Sequence, residues 1–326
     1  VGTTLAIAIL AWGVGSYLTV VSSGSLGTYK IADQAQAFYA AEAGAHRMLY
    51  ETNANGATST YGTLAAGTYT GTYSATYDDG IITSTGTVDG MSSTVTVRTS
   101  EIPSSVRGAV TENSSTYIAG TMILDGRDYD ADDNLTDSSG LYGISAAGMV
   151  TQMGSCQIGG NGAAPSSPAA SNAYQQLADP YTSTDPWDLL GVDQTWFEAN
   201  VPEQNSPPPT NFTGIYYYSP PTGTWSAGNF GHSGGILIVH NATNSATLKN
   251  ASGKFTGLII ADQFTHNSGT LKVLGALITT NQVGNFFGYG NAKFHYSSKV
   301  LSELKSLLNN QTVNWKKILS AGSWTD

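Results

Sequence analysis

The sequence predicts an α+β protein that is mostly β. It comprises a long N-terminal hydrophobic α-helix, a small antiparallel β-sheet, and a parallel β-helix-like solenoid with a loop-rich insertion and a C-terminal capping helix. Three observations carry this reading. Residues 1–29 hold no charged side chain, and Lys30 is the first charge in the chain. From Tyr61 to Arg98 the apolar period falls to two. Further on, apolar strands recur, and the last three begin about 18 to 22 residues apart, the length of one solenoid turn. The expected segments are a stem helix at 1–52, a meander at 53–104, solenoid rungs at 105–164 and 229–296, an insertion at 165–228, and a C-terminal helix and tail at 297–326.

A helix over the uncharged run would reach roughly 40 Å at 1.5 Å per residue, enough to cross a hydrocarbon core of about 30 Å. Its apolar surface cannot stand in water, so it belongs in a bilayer or against copies of itself. Leu5, Ile7, Ile9, Leu10, Trp12, Val14, Leu18, Val20 and Val21 supply that surface and are the candidate assembly residues. The apolar face runs on through Ile31, Ala35, Phe38, Ala41, Ala45 and Leu49, mostly three to four apart. The start lacks the Met, basic region and small-residue cleavage site of a secretory signal, so Val1 reads as a processed terminus. Gly13–Ser16 and Ser22–Gly27 are the stretches expected to unwind most easily, because interior glycines weaken a helix.

The block Leu5–Leu10 and the run Gln36–Arg47 (QAFYAAEAGAHR) together resemble the N-terminal region of type IV pilins and pseudopilins, in particular the long PilX-type pilins. The stretches Thr121–Gly162 and Leu258–Tyr296 resemble the C-terminal solenoid of PilX-like proteins. The resemblance implies a non-enzymatic structural subunit of an extracellular cell-surface filament. Its stem would sit in the inner membrane before assembly and in the filament core afterwards, and its partners would be copies of itself and the pilus assembly machinery. One departure stands out. Where pilins usually carry an assembly glutamate at the fifth mature position, this chain has Leu5, with the Thr3 and Thr4 hydroxyls the nearest substitutes. That leaves a minor or tip pseudopilin, or an adhesin, as the alternative to a bulk subunit.

Composition narrows the function classes. Charged residues make up 11% of the chain, Gly numbers 38 and Tyr 18, a balance that suits β-rich extracellular proteins. A net charge of −10 argues against nucleic acid, whose phosphates require basic patches. The single cysteine, Cys156, excludes an intrachain disulfide and a cysteine-rich zinc site.

Within the meander, Tyr69, Tyr73 and Tyr77 alternate with small residues, Asp78–Gly80 and Asp89–Gly90 are turns, and Ile81–Val88 and Ser93–Thr99 are strands expected to pack on the stem helix. Tyr117–Leu124, Leu141–Ser145, Gly235–His240, Phe255–Ala261 and Val273–Thr279 are the expected rungs. Val300, Leu301, Leu304, Leu307 and Leu308 form one helical face behind a Ser297/Ser298 N-cap. The insertion holds most of the prolines. Pro186–Ala199 is expected to be helical, behind Asp185. Its aromatics Trp187, Trp196, Tyr216, Tyr217, Tyr218 and Trp225 are candidates for contact with a neighbouring subunit's head, or else for the core of a local subdomain.

One cluster has the look of a ligand site. Asp128, Asp130 and Asp132 alternate as in Ca²⁺ loops, with Asn134 as a further oxygen donor. Asp133 occupies the place of the EF-hand's turn glycine and Ser139 that of its bidentate Glu. Crowded acids need a cation or an ordered basic partner; the other reading is a solvated acidic turn partly screened by Arg127. Parallel β-helices also include polysaccharide-cleaving enzymes, which use clustered acids on adjacent rungs. Here His240, His266 and His295 could share a face, but no carboxylate constellation is apparent beside them, and a membrane-anchored enzyme is the remote alternative.

Overall fold

The computed structural model describes residues 30–66, 69–78, 80–179, 181, 183–282, 286–288, 290–309 and 315–319. The assembly residues between Leu5 and Val21, and the two glycine-rich stretches of the stem, lie outside them. The described residues fall into two compact units, one up to residue 99 and the other from residue 100 on.

In the first unit, helix α1 spans 30–55 and four antiparallel strands follow in order: β1 (Ser59–Ala66), β2 (Tyr69–Asp78), β3 (Ile81–Val88) and β4 (Met91–Pro103). Gly56, at φ +66°, ends the helix in the left-handed conformation that glycine takes without a Cβ penalty. Asp89 and Gly90 both have positive φ, +46° and +82°, as a two-residue hairpin turn of the primed type needs. The register is one to one, with Ser59 opposite Thr76, Asp78 opposite Ile81 and Val88 opposite Met91. Alternation sends Ala75, Ile82, Val88, Val95 and Val97 inward, onto a helix face made of Ala37, Ala40, Ala41, Ala45 and Met48, all buried. The small alanines let helix and sheet approach closely. At Gly86 they come so near that a Cβ would run into the backbone of Ala37 and Ala41.

The second unit is built around three parallel strands in register, Asn229–Val239, Ser252–Ala261 and Thr270–Thr279. Their centres, Ile236 to Val239, Leu258 to Ala261 and Ala276 to Thr279, are buried residue after residue rather than alternately. Such continuous apolar runs mark strands covered on both faces. Gly235, Gly257 and Gly275 stand side by side in this ladder at φ between +109° and +142°, and a Cβ on them would strike the backbone of Gly214, Gly235 and Gly257 respectively.

The parallel β-helix solenoid expected from the repeat does not form; the sheets are mixed. The large sheet runs, by strand, Ala163–Ser166, Gln157–Gly160, Ile123–Asp125, Asn291–Tyr296, Thr270–Thr279, Ser252–Ala261, Asn229–Val239, Ile215–Tyr218 and Glu203–Gln204. Early strands therefore sit beside the last ones, and among the described residues no single rung-by-rung coil runs from one end of the unit to the other. Thr270–Thr279 has its outer edge filled by two segments from opposite ends of the unit. Asn291–Tyr296 pairs along its first half, and Gly108–Glu112 pairs along its second. Gln157–Gly160 with Ala163–Ser166, and Asp128–Tyr129 with Leu135–Asp137, are antiparallel. Spacing along the sequence specifies a parallel ladder but not which strand becomes whose neighbour.

The insertion at 165–228 is part of this unit's framework. Ile215–Tyr218 extends the large sheet in parallel, and Thr224–Ser226 pairs with Thr247–Lys249. The single helix expected at 186–199 is two. Pro186–Leu190 starts after Asp185 with Pro at the first position and ends at the left-handed Gly191; Gln194–Asn200 is capped by Asp193, whose carboxylate accepts from the Trp196 amide. At the C-terminal side, helix Ser298–Glu303 begins at Ser297, whose hydroxyl accepts from the Val300 amide at 3.2 Å.

Candidate functional site

Helix α1 has two faces with opposite fates. One is consumed by the chain's own sheet, as above. The other leaves Ile31 74%, Tyr39 66% and Tyr50 60% exposed. Around the helix start, Ile31, Gln34, Ala35, Phe38 and Tyr39 face Met91 and Ser93 of β4 across an open, mainly apolar groove. Phe38 and Tyr39 meet edge to face with ring centres 6.0 Å apart, and the Arg47 guanidinium lies 5.2 Å over the Tyr50 ring while also pairing with Glu51. Among the described residues no helix is long and apolar enough to cross a membrane.

The acidic loop is tied to distant parts of its own unit. Asp128 is buried, and its carboxylate accepts from the Ser298 amide at 2.8 Å and from the Ser298 hydroxyl, so it anchors the start of the C-terminal helix. Burial pushes its pKa up, opposed by those Ser298 bonds. Asp130 folds its carboxylate back on its own turn, accepting from the amides of Asp132 (2.9 Å) and Asn134 (2.8 Å). Asp132 is exposed. The four expected Ca²⁺ ligands are therefore not gathered on a common centre. No group of three or more His, Cys, Asp or Glu among the described residues could hold a metal ion.

An ordered basic partner is found instead at Asp133. One oxygen meets His295 Nδ1 at 2.8 Å and the other meets Lys272. Burial alone would raise this carboxyl's pKa, but Lys272 and His295 outweigh it and hold the group below the ordinary carboxylate range. Asp133 also adopts φ +69°, the conformation that the glycine of a Ca²⁺ loop would take. The His295 ring stacks on Tyr129 at 4.2 Å and 16°, and the Tyr129 hydroxyl donates to Asp125 at 2.6 Å. Asp125, fully buried, also takes the Arg127 guanidinium, with Nη2 at 2.7 Å. A single network of side chains thus clips residues 125–137 onto the strands and helix that close the unit.

The six aromatic candidates of the insertion all belong to the large apolar core or pack against it. Tyr218 and Trp225 are buried in a T-shaped pair at 5.2 Å, and Trp225 meets Phe230 at 5.9 Å. Trp187, Trp196, Tyr216 and Tyr217 are half-buried; Trp187 and Tyr217 flank Phe197 at 6.0 and 5.9 Å.

Two features went unread in the sequence. His240 does have a carboxylate: its Nδ1 lies 2.7 Å from Asp262, which also accepts from the Thr280 hydroxyl (3.0 Å) and the amides of Asn241 (3.1 Å) and Ala246 (2.9 Å). With four donors on one carboxylate, the arrangement locks the turn at 241–246. The signal was the separation of His240 and Asp262, one strand-to-strand repeat of the parallel ladder. The second feature is Glu112, fully buried with neither oxygen hydrogen-bonded among the described residues. Burial pushes its pKa up to about 8, with only the nearby Thr116 hydroxyl pulling the other way. Nothing local distinguishes it, because its burial comes from Thr279 and Ala146 pairing on either side.

No protein-family model matches the chain, and no curated protein matches its sequence. Among solved structures, the competence-associated pilin ComZ from Thermus thermophilus is similar over 90% of this chain and 97% of that one, at 11% identity and a TM-score of 0.24. Agreement at that level carries no argument about fold or function.

Proposed function

We propose that this chain is a structural subunit of a type IV pilin-like filament on the cell exterior, polymerising through its N-terminal helix. Before assembly the stem would lie in the inner membrane, where the assembly machinery would take it up. The observation that supports the reading is the division of labour on α1. One face is filled by the chain's own meander, while Ile31, Tyr39 and Tyr50 on the other are left to solvent, in line with an uncharged run of 29 residues. Exposed apolar surface of that kind marks an interaction site. A filament of packed stems would cover both the exposed face and the uncharged run.

The test is Ile31→Glu combined with Tyr39→Glu in cells that display the filament. Both side chains are exposed, so the subunit is expected to accumulate in folded, protease-resistant form while filaments disappear from electron micrographs. Undiminished filaments would overturn the reading. Helical reconstruction of native filaments then distinguishes a bulk subunit, repeated at every position, from a minor or tip subunit.

A further inference from the structure

We infer that the free edge of β1 is a pairing site for the same strand of a second copy, the two joining antiparallel so that two meanders become one continuous sheet. Among the described residues β1 pairs only with β2 and stands at the end of its sheet. The Tyr77 amide donates to the Thr58 carbonyl at 2.9 Å, one step before the pair Ser59–Thr76. Antiparallel ladders alternate, so the even-numbered residues of β1 bond to β2. The N–H and C=O groups of Ser59, Tyr61, Thr63 and Ala65 therefore point away from the sheet, with no strand partner among the described residues.

Soluble proteins usually protect such an edge with a lysine, a proline, a bulge or shortness. β1 has none of these. It is 8 residues long, its register with β2 runs unbroken from Ser59 to Ala66, and no charge occurs anywhere from Thr52 to Tyr77. Its outer face presents Tyr61, 87% exposed, beside Thr63 and Ala65. Protection is missing where backbone pairing groups, exposed aromatic surface and a neutral sequence coincide.

The occupant follows from the sequence of the edge itself. Centring two antiparallel copies on Thr63 sets Thr63 against Thr63 and Tyr61 against Ala65. Each of these residues has its N–H and C=O turned toward the partner. The large ring falls over the smallest side chain, the two hydroxyls meet, and no like charges oppose each other. A contact of this length buries well under the roughly 1,200 Å² of a stable interface, so free copies should associate weakly and arrayed copies strongly. A two-fold contact closes on itself. It would therefore join copies side by side and not extend a filament, and it does not depend on the polymerisation reading.

The experiment is Thr63→Cys in the full chain, solubilised in detergent and mildly oxidised, with Asp89→Cys at the exposed β3–β4 turn as control. Facing residues of a hydrogen-bonded pair lie about 5.5 Å apart at Cα, within disulfide reach. Wild type serves as the blank because its one cysteine, Cys156, is buried. Thr63→Cys is expected to form disulfide-linked dimers at least tenfold faster than Asp89→Cys. Adding Tyr61→Pro, which removes an outward N–H and the exposed ring but no hydrogen bond to β2, should abolish that advantage. Equal rates for the two cysteines, or a Thr63→Cys rate unchanged by Tyr61→Pro, would overturn the proposal.

Discussion

Two buried or half-buried acids in the second unit pull stability in opposite directions as pH changes. Glu112 has its pKa raised by burial to about 8 from an ordinary 4.5. The unfolded chain releases that proton near pH 4.5 while the folded chain keeps it, so this group's contribution to stability declines from about pH 4.5 to about pH 8. Glu112→Gln keeps the shape without the charge. It is expected to flatten that decline and raise stability at pH 8 by a few kcal/mol, on the order of 1.4 per pKa unit; thermal midpoints from pH 5 to 9 check it. Asp133 behaves the other way. Its lowered pKa means stability that is present above the ordinary carboxylate range and lost as pH falls through the lowered value. Asp133→Asn should cost about 1–2 kcal/mol at pH 7 and progressively less as pH falls through the lowered value, measured by urea unfolding. A chelator should leave the wild-type midpoint unmoved, and a downward shift would show that the loop binds a metal. The acidic loop was conspicuous in the sequence because its charges are adjacent. Its partners Lys272, His295 and Ser298 were not, since they lie at the far end of the chain.

At the level of elements, helix α1 and the meander were legible because their signals are local: period 3.6, period two, and an Asp-Gly turn. The close contact between them was not. Gly86 reads as an ordinary strand glycine until the backbone of Ala37 and Ala41 is found against it. Gly86→Val should force helix and sheet apart at a cost of about 1–3 kcal/mol, visible as faster hydrogen exchange in α1 and β3 while the strands of the second unit keep their protection. The split helix at 186–200 has a similar lesson. Asp185 and Pro186 announced the start, but Gly191 ends the helix after 5 residues and Asp193 starts another.

The neighbours in the large sheet were the least legible part of the whole molecule. Parallel strands of even spacing suggested a coil, and the pairing of Gly108–Glu112 with Thr270–Thr279 is a long-range choice no periodicity encodes. Within the insertion, proline-rich stretches hide Ile215–Tyr218, a strand of the large sheet. Deleting 206–224 removes that strand together with Phe212 and Tyr218 from the core. Loss of the cooperative unfolding transition is the expected result, read by circular dichroism.

The entry of the first strands between the last ones also fixes the order in which the chain can mature. Gly108–Glu112 finds its partners in Tyr142–Ala146 and in Thr270–Thr279, and Ile123–Asp125 finds one of its own in Asn291–Tyr296. During synthesis or export, Gly108–Glu112 could join Tyr142–Ala146 and Ile123–Asp125 could join Gln157–Gly160 early, but the second edge of each would stay open until nearly the whole chain had appeared. Topologies dominated by such distant pairings fold slowly, because a large loop must close before any contact rewards it. The second unit should therefore fold late and all at once, and depend on protection from aggregation while it waits.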